Sequence, residues 1–415
     1  MPRRQRWQPV RGTGNRVYDT RERLLLGLLD APGRALAALR GGIAQAPPDP
    51  SSVREVLVLR LDRIGDVTMS LPALADLRAA LPEARIRLAV GRWSEEIARS
   101  APVDEVLVWS APWVGRPQEG AEGTRALFAR ARALGADGLD LAIDLQGDVR
   151  ANLLLWATRA RHRVGYANTG GAYLLHQVVA LDETVSWVEQ NRRAVAAAVG
   201  RAPGALHADP ATEADRAAGR RVLEEAGLLG RGPLVGIHPS GGRRIKQWDV
   251  AHWAEVAARL EAQFGAGVLL TGSAADRDLA ASVKSRVPAA VDLSGRLGLR
   301  ETLGVLAGLD LFLSPDTGPM HLACAVGTPS VSVFGPSDPV RYFSGGGSGR
   351  HLVVRRELWC SPCNLIRRPP AECDTAEGPE CLRLVTVDEV HAAAVRLLED
   401  VSGFTRRGAG AAGLP

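Results

Sequence analysis

Four clusters of polar and conformationally special residues interrupt otherwise apolar runs, and their types suit the handling of a phosphorylated sugar. The densest is "SPDTGPMHLACAVGTPSVSVFG", residues 314–335, where Asp316, Thr317, Gly318, Pro319 and His321 stand between two apolar runs. Pro319 suits the first position of a helix, and Gly318 lets a ligand come close to the backbone. The amides of residues 317–320, at a helix start, would then face a pyrophosphate. Asp316 would repel that group, so it is expected to cap the helix or to accept bonds from sugar hydroxyls. His321, one turn in, is placed to donate to a phosphate oxygen.

The second cluster, "GIHPSGGRRIKQWDVAHW" (236–253), supplies Ser240, Gly241 and Gly242 as a flexible turn and Lys246 as a point charge that offsets a departing diphosphate. A basic solvated loop is the alternative, and His238 reads as a structural histidine. In the third, "LLTGSAADRDLA" (269–280), Asp276 or Asp278 would bond a ribose, or equally occupy an exposed first helical turn. The fourth is "LRLDRIGDVTMSLPAL" (59–74), in which Gly65 permits a sharp turn and Asp66 begins a helix. Asp66 is either an ordinary N-cap or a base for the proton of an attacking hydroxyl. Downstream, "DLQGDVRANLL" (144–154) offers Gln146, Asp148 and Arg150, which together with Arg63 suit an anionic acceptor sugar or are solvated loop residues.

Something must hold these clusters at strand ends. Apolar runs "REVLVLRL", "RIRLAV", "VDEVLVW", "LDLAIDLQG" and "HQVVALD" alternate with helical segments from residue 53 to about residue 199. A second series runs through "LVGIHP", "GVLLTG", "AVDLSG", "DLFLSP" and "SVSVFG". Strands apolar throughout and separated by helices imply parallel sheets covered on both faces. The expected organisation is a basic extension and linker (1–52), a first Rossmann-like domain (53–205), a linker (206–232), a second such domain (233–400) and a tail (401–415). A cleft between two such domains is a usual place for ligands.

Composition narrows the class. The chain has 415 residues and a formal net charge of +5, and residues 1–50 carry nine arginines against four acids, which accounts for all of that excess. No basic stripe remains in the body, so nucleic-acid binding is not expected. The stretch "RERLLLGLLDAPGRALAALRGG" (21–42) has the spacing of an amphipathic helix, suited to an anionic membrane surface or to packing as a leader helix. No signal peptide or spanning helix is read, which points to a cytoplasmic chain, peripheral at most to the inner membrane. Four of the five cysteines, Cys360, Cys363, Cys373 and Cys381, form a C-x-x-C and two followers; a structural zinc, free thiols or a redox pair all suit them. Cys324 reads as core.

In combination, "RIGDVTMSLPAL", "HPSGGRRIKQW", "SPDTGPMHLACAVGTPSVSVFGPSDP" and "CSPC" resemble glycosyltransferase family 9, the ADP-heptose:lipopolysaccharide heptosyltransferase family, over about residues 53–400. The resemblance implies an α/β chain of GT-B architecture, two Rossmann-like parallel-sheet domains facing across a cleft. It implies transfer, with inversion, of a heptose or related sugar from a nucleotide-diphosphate donor, ADP-linked, to a lipopolysaccharide-core or other cell-envelope glycan. Asp66 matches the family's proposed general base, Lys246 its diphosphate-contacting lysine, and Asp316, Thr317, Gly318 and His321 its donor-binding signature. No cofactor is implied for catalysis, since the helix dipole and the lysine serve the leaving group. The family's hydroxyl-rich phosphate turn stands here as Ser240-Gly241-Gly242, which shifts contacts to the backbone. Two alternatives belong beside this: a sugar-nucleotide epimerase of the same architecture, and a catalytically silent nucleotide-sugar-binding scaffold. A dinucleotide-dependent oxidoreductase is disfavoured, because no G-x-G-x-x-G opens either half.

Overall fold

The computed structural model describes residues 46–114, 122–136, 138–204, 207–346, 349–363 and 378–401, with residues 8–9, 16–17, 28, 30–33, 35, 373 and 403–404. The chain divides into two compact units, residues 6–208 and residues 209–415.

In the first unit, Glu55–Arg60 (β1) and Arg85–Val90 (β2) each bury every residue after the first. A strand with no solvated face needs cover on both sides, which parallel pairing through crossover helices provides. Glu105–Val108 (β3), Leu141–Asp144 (β4), His162–Gly165 (β5) and Gln177–Val178 (β6) complete a six-stranded parallel sheet in the order β3-β2-β1-β4-β5-β6. Leu57 of β1 lies opposite Arg87 on one side and Ala142 on the other. The winding reverses between β1 and β4, so the crevice beyond their carboxyl ends is where such a sheet accepts a ligand. Helices Ile64–Ala80 (α1), Thr124–Ala136 (α2), Val149–Ala157 (α3) and Trp187–Val199 (α4) cover the faces. Asn191 of α4 donates to the Met69 carbonyl of α1 at 3.2 Å, which binds the two helices together.

The second unit repeats the design. Leu234–Ile237 (β7), Gly267–Leu270 (β8), Val291–Asp292 (β9), Leu311–Pro315 (β10), Ser330–Phe334 (β11) and His351–Arg355 (β12) form a parallel sheet in the order β9-β8-β7-β10-β11-β12, with the reversal between β7 and β10. Its helices are Glu213–Glu225 (α5), Val250–Phe264 (α6), Arg277–Lys284 (α7), Leu299–Ala307 (α8), Gly318–Ala325 (α9) and Val387–Asp400 (α10). Trp248 and Trp253 meet edge to face in the core beneath α6, their centroids 4.7 Å apart. The Trp248 indole N–H donates to Val385 at 3.1 Å and fastens the approach to α10.

Residues 206–232, expected as a linker, contain α5. Thr212 and Asp215 start it with a capping box: the Asp215 amide donates to the Thr212 hydroxyl at 3.2 Å, and the Thr212 amide donates back to the Asp215 carboxylate at 2.8 Å. The helix expected over 21–42 falls mostly outside the described residues. Within it, Asp30 is buried and accepts the Gly171 amide at 2.8 Å.

Candidate active site

In the second unit the sequence clusters meet at the sheet's reversal. β10 ends at Pro315, Asp316 follows, and Thr317 takes the N-cap position of α9 without a side-chain cap bond. Asp316 therefore does not cap the helix, contrary to one expectation. It is 5 % exposed and pairs with Lys246, Nζ to Oδ2 at 2.7 Å. Burial alone would push this carboxyl up; the Lys246 and His321 charges and hydrogen bonds from Lys246 and Ser337 outweigh it and hold it below the ordinary carboxylate range. Asp316 is accordingly an anion at neutral pH. His321 is buried, and its Nδ1 meets the Ser344 hydroxyl.

The first-turn amides of any helix lack intrahelical partners. In α9 these belong to Thr317, Gly318 and Met320, because Pro319 has none. Among the described residues, a Cβ built on Gly318 would meet no atom within 4 Å beyond its chain neighbours and its own helix backbone, and its φ lies outside the left-handed region. Neither crowding nor backbone conformation requires a glycine there.

The Ser240 turn follows β7. The Gly242 amide donates to the Ser240 hydroxyl at 3.2 Å, and Gly242 has φ +66°, a conformation that favours glycine. Gly241 is glycine for another reason: a Cβ there would sit 2.6 Å from the Lys246 carbonyl carbon, so its bareness lets the Lys246 turn close over it. Asp276 is tied to this turn and to its own helix start. Its carboxylate accepts the Ser273 amide at 2.8 Å and hydroxyl at 2.6 Å, and the Ser240 hydroxyl bonds it too. Burial raises the Asp276 carboxyl, but these bonds and the His238 charge leave it below the usual value. Asp278 is exposed on the first turn of α7. His238 is buried with Nδ1 3.4 Å from the Thr271 hydroxyl, and burial pushes its imidazole down toward the neutral form.

In the first unit, β1 ends at Arg60, and Asp66 lies in the first turn of α1. The Arg63 amide donates to Asp66 Oδ2 at 3.3 Å, so Asp66 partly fills the local capping role, with its side chain 30 % exposed. The feature missed from sequence is Arg60, 2 % exposed, with Nη2 3.5 Å from Asp66 Oδ1 and Nε 3.9 Å from Asp62 Oδ1. Burial pushes the Asp62 carboxyl up, with Arg60 opposing and Asp66 adding to the rise. At the end of β4, Asp144 accepts the Gln146 amide at 3.0 Å and the Gly147 amide at 2.7 Å, yet burial pushes it up to about 7. The sequence signal for Arg60 was a charge inside "VLVLRL".

Of the acceptor candidates, Arg63 is exposed and Gln146 keeps a buried Oε1 without a hydrogen-bond partner among the described residues. Arg150 is held by Asp148 through Nε–Oδ1 at 2.7 Å and Nη2–Oδ2 at 2.6 Å, and its guanidinium lies 5.6 Å from the Trp113 ring centroid. Asp148 also caps α3 through the Arg150 amide.

The five cysteines are free thiols. Among the described residues no three His, Cys, Asp or Glu side chains stand close enough together to hold a metal ion, so nothing there supports the zinc reading of Cys360, Cys363, Cys373 and Cys381 over free thiols or a redox pair. Most residues between Cys363 and Cys381 lie outside the described set. Cys381 is buried, and burial, with the charges of Cys363, Cys373 and Cys360, pushes its thiol up to about 12. Cys324 is core, as expected, and burial pushes it to about 12 as well.

A family model described as glycosyltransferase family 9 (heptosyltransferase) matches residues 127–369, more than half of the chain. The chain is 28% identical over 318 residues to lipopolysaccharide heptosyltransferase 1 of Escherichia coli (strain K12), covering 72% of this chain and 93% of that one. Its fold matches a glycosyl transferase family 9 structure from Veillonella parvula DSM 2008 with a TM-score of 0.66 at 22% identity, over 84% of this chain and 97% of that one. It also matches E. coli heptosyltransferase WaaC with ADP, with a TM-score of 0.56 at 23% identity, over 73% and 91%. The two doubly wound parallel sheets are those of the GT-B heptosyltransferases.

Proposed function

The chain belongs to glycosyltransferase family 9, and from that premise we propose that it moves a heptose from an ADP-linked donor to a lipopolysaccharide-core acceptor with inversion at the anomeric carbon. The names of its relatives support the sugar and the acceptor, and the ADP held by one of the similar structures supports the nucleotide. The observation that carries the reading is the start of α9: uncapped amides and an open Gly318 beside the Lys246–Asp316 pair, at the reversal of the second sheet.

The acceptor oxygen attacks the anomeric carbon, the bond from that carbon to the diphosphate oxygen breaks, and the hydroxyl proton passes to Asp66. The nucleoside diphosphate leaves as an anion. The amides and dipole of α9 meet its charge. Asp316 takes one of the three donors of the Lys246 ammonium, and the other two serve the diphosphate. Ser240, Gly241 and Gly242 line the phosphates with Asp276 holding the turn in shape, while Arg63 and Gln146 contact the acceptor.

Among the described residues no helix is long and apolar enough to cross a membrane. The finer placement is at the cytoplasmic face of the inner membrane, through the basic first residues. Asp66→Asn tests the chemistry. Transfer from ADP-heptose is expected to fall by about 10²–10⁴-fold, while the rise in melting temperature on adding ADP is kept. Wild-type turnover in that variant would put a different base in place of Asp66.

A further inference from the structure

The end of β1 poses a question that donor binding does not answer: why a parallel strand with an otherwise apolar run should bury an arginine. Burying a guanidinium is unfavourable unless charges and acceptors surround it. Arg60 has both. Its Nη1 donates to the Leu145 carbonyl just beyond β4, and its Nε donates to the Asp66 backbone carbonyl in α1 at 3.3 Å. Its Nη2 is 3.5 Å from the Asp66 carboxylate, its guanidinium carbon is 5.9 Å from the Trp187 ring centroid, and Asp62 and Asp144 are further charged neighbours. One side chain thus grips both the backbone and the carboxylate of the residue proposed as base, and anchors that grip to the neighbouring strand.

We propose that Arg60 is a positioning residue for the transfer step: its planar fork fixes the Asp66 carboxylate at the sheet's reversal, and it touches neither donor nor acceptor. The inference rests on the assignment of Asp66 as base. A fork can hold two acceptors in one plane, which a lysine ammonium can do only by charge. Loss of the fork should therefore reach the rate of transfer and leave donor binding, which belongs to the second unit, unchanged.

Steady-state kinetics of transfer from ADP-heptose on Arg60→Met, Arg60→Lys and Asp66→Asn test this, with melting curves to report folding. Arg60→Met is expected to lower kcat by about 100-fold, the scale of a misplaced catalytic group, with the KM for ADP-heptose within about twofold of wild type. Arg60→Lys is expected to recover at least about a tenth of the wild-type kcat, since charge survives. A folded Arg60→Met enzyme with wild-type kcat, or one whose loss appears in the donor KM instead, overturns the proposal. If Arg60→Met does not fold, Arg60→Lys against Arg60→Gln decides, and equal kcat in those two also overturns it. An inactive Asp66→Asn beside a fully active Arg60→Met removes this inference alone. A fully active Asp66→Asn removes the base assignment and this inference with it.

Discussion

Gly318 is a residue whose identity the protein's own packing does not explain. Among the described residues nothing beyond its chain neighbours and its own helix backbone stands within 4 Å of where its Cβ would be, and its backbone is not left-handed. An alanine would fit and would favour the helix by up to roughly 1 kcal/mol, so the bareness is best explained by a ligand surface. Gly318→Ala is expected to melt at or above the wild-type temperature while binding ADP at least about tenfold more weakly, a loss of roughly 1.4 kcal/mol. Unchanged ADP affinity by calorimetry would mean that the first turn of α9 does not meet the diphosphate. Asp144 makes a second residue-level prediction. Burial lifts its carboxyl to about 7, with bonds from Gln146 and Gly147 opposing, whereas an unfolded aspartate titrates near about 3.9. Between those values the folded chain holds a proton that the unfolded chain has released, so this group's contribution to stability declines as pH rises. Asp144→Asn should shift stability by an offset but remove that slope, read as denaturant midpoints at about pH 5 and about pH 7.5. Equal slopes in the two proteins would contradict the assignment.

Among the elements, α5 and α8 approach each other through glycines. A Cβ on Gly219 would lie 2.0 Å from the Gly304 carbonyl carbon, and one on Gly304 would lie 1.8 Å from the Asp215 carbonyl oxygen. Arg300 reinforces the contact with a bond to Asp215 at 3.0 Å. Gly219→Ala should force the helices apart and destabilise the fold by about 1–3 kcal/mol, seen as a lower melting temperature; an unchanged melt would place the two helices further apart than described. This contact was not legible in the sequence, where residues 206–232 read as a linker because Gly, Pro and Ala dominate the approach to α5. The central strands were legible, since β1, β2, β7 and β10 each hold an apolar run, in β1 and β2 one long enough to outweigh the charges Arg60 and Arg87 within it. Strands β5 and β12 were not, because "HRVG" and "HLVVR" begin with histidine and carry arginines. The site divides the same way. Asp66, Lys246 and Asp316 announced themselves at the ends of apolar runs. The pairing of Lys246 with Asp316, and of Arg60 with Asp66 and Leu145, joins segments that only the sheet's winding brings together.

For the molecule as a whole, charge is distributed unevenly. Residues 1–27 hold seven arginines and two acids, a formal excess of five that equals the chain's net +5. Asp30 and Gly33 pack against Gly171 and Tyr173 of the first unit, so a cut before Leu28 spares that contact. Deleting residues 1–27 is expected to abolish most binding to vesicles rich in anionic lipid, at roughly 1 kcal/mol per basic residue near the surface, with kcat on a water-soluble acceptor unchanged. Unaltered sedimentation with the vesicles would assign any membrane contact to another surface.

The two sheets share one strand order, and each is closed around its own core, with neither borrowing a strand from the other. Such modules can be traded. A hybrid that keeps residues 6–208 and takes its remaining half from a relative with a different nucleotide preference should inherit the donor taste of the graft and the acceptor taste of the host.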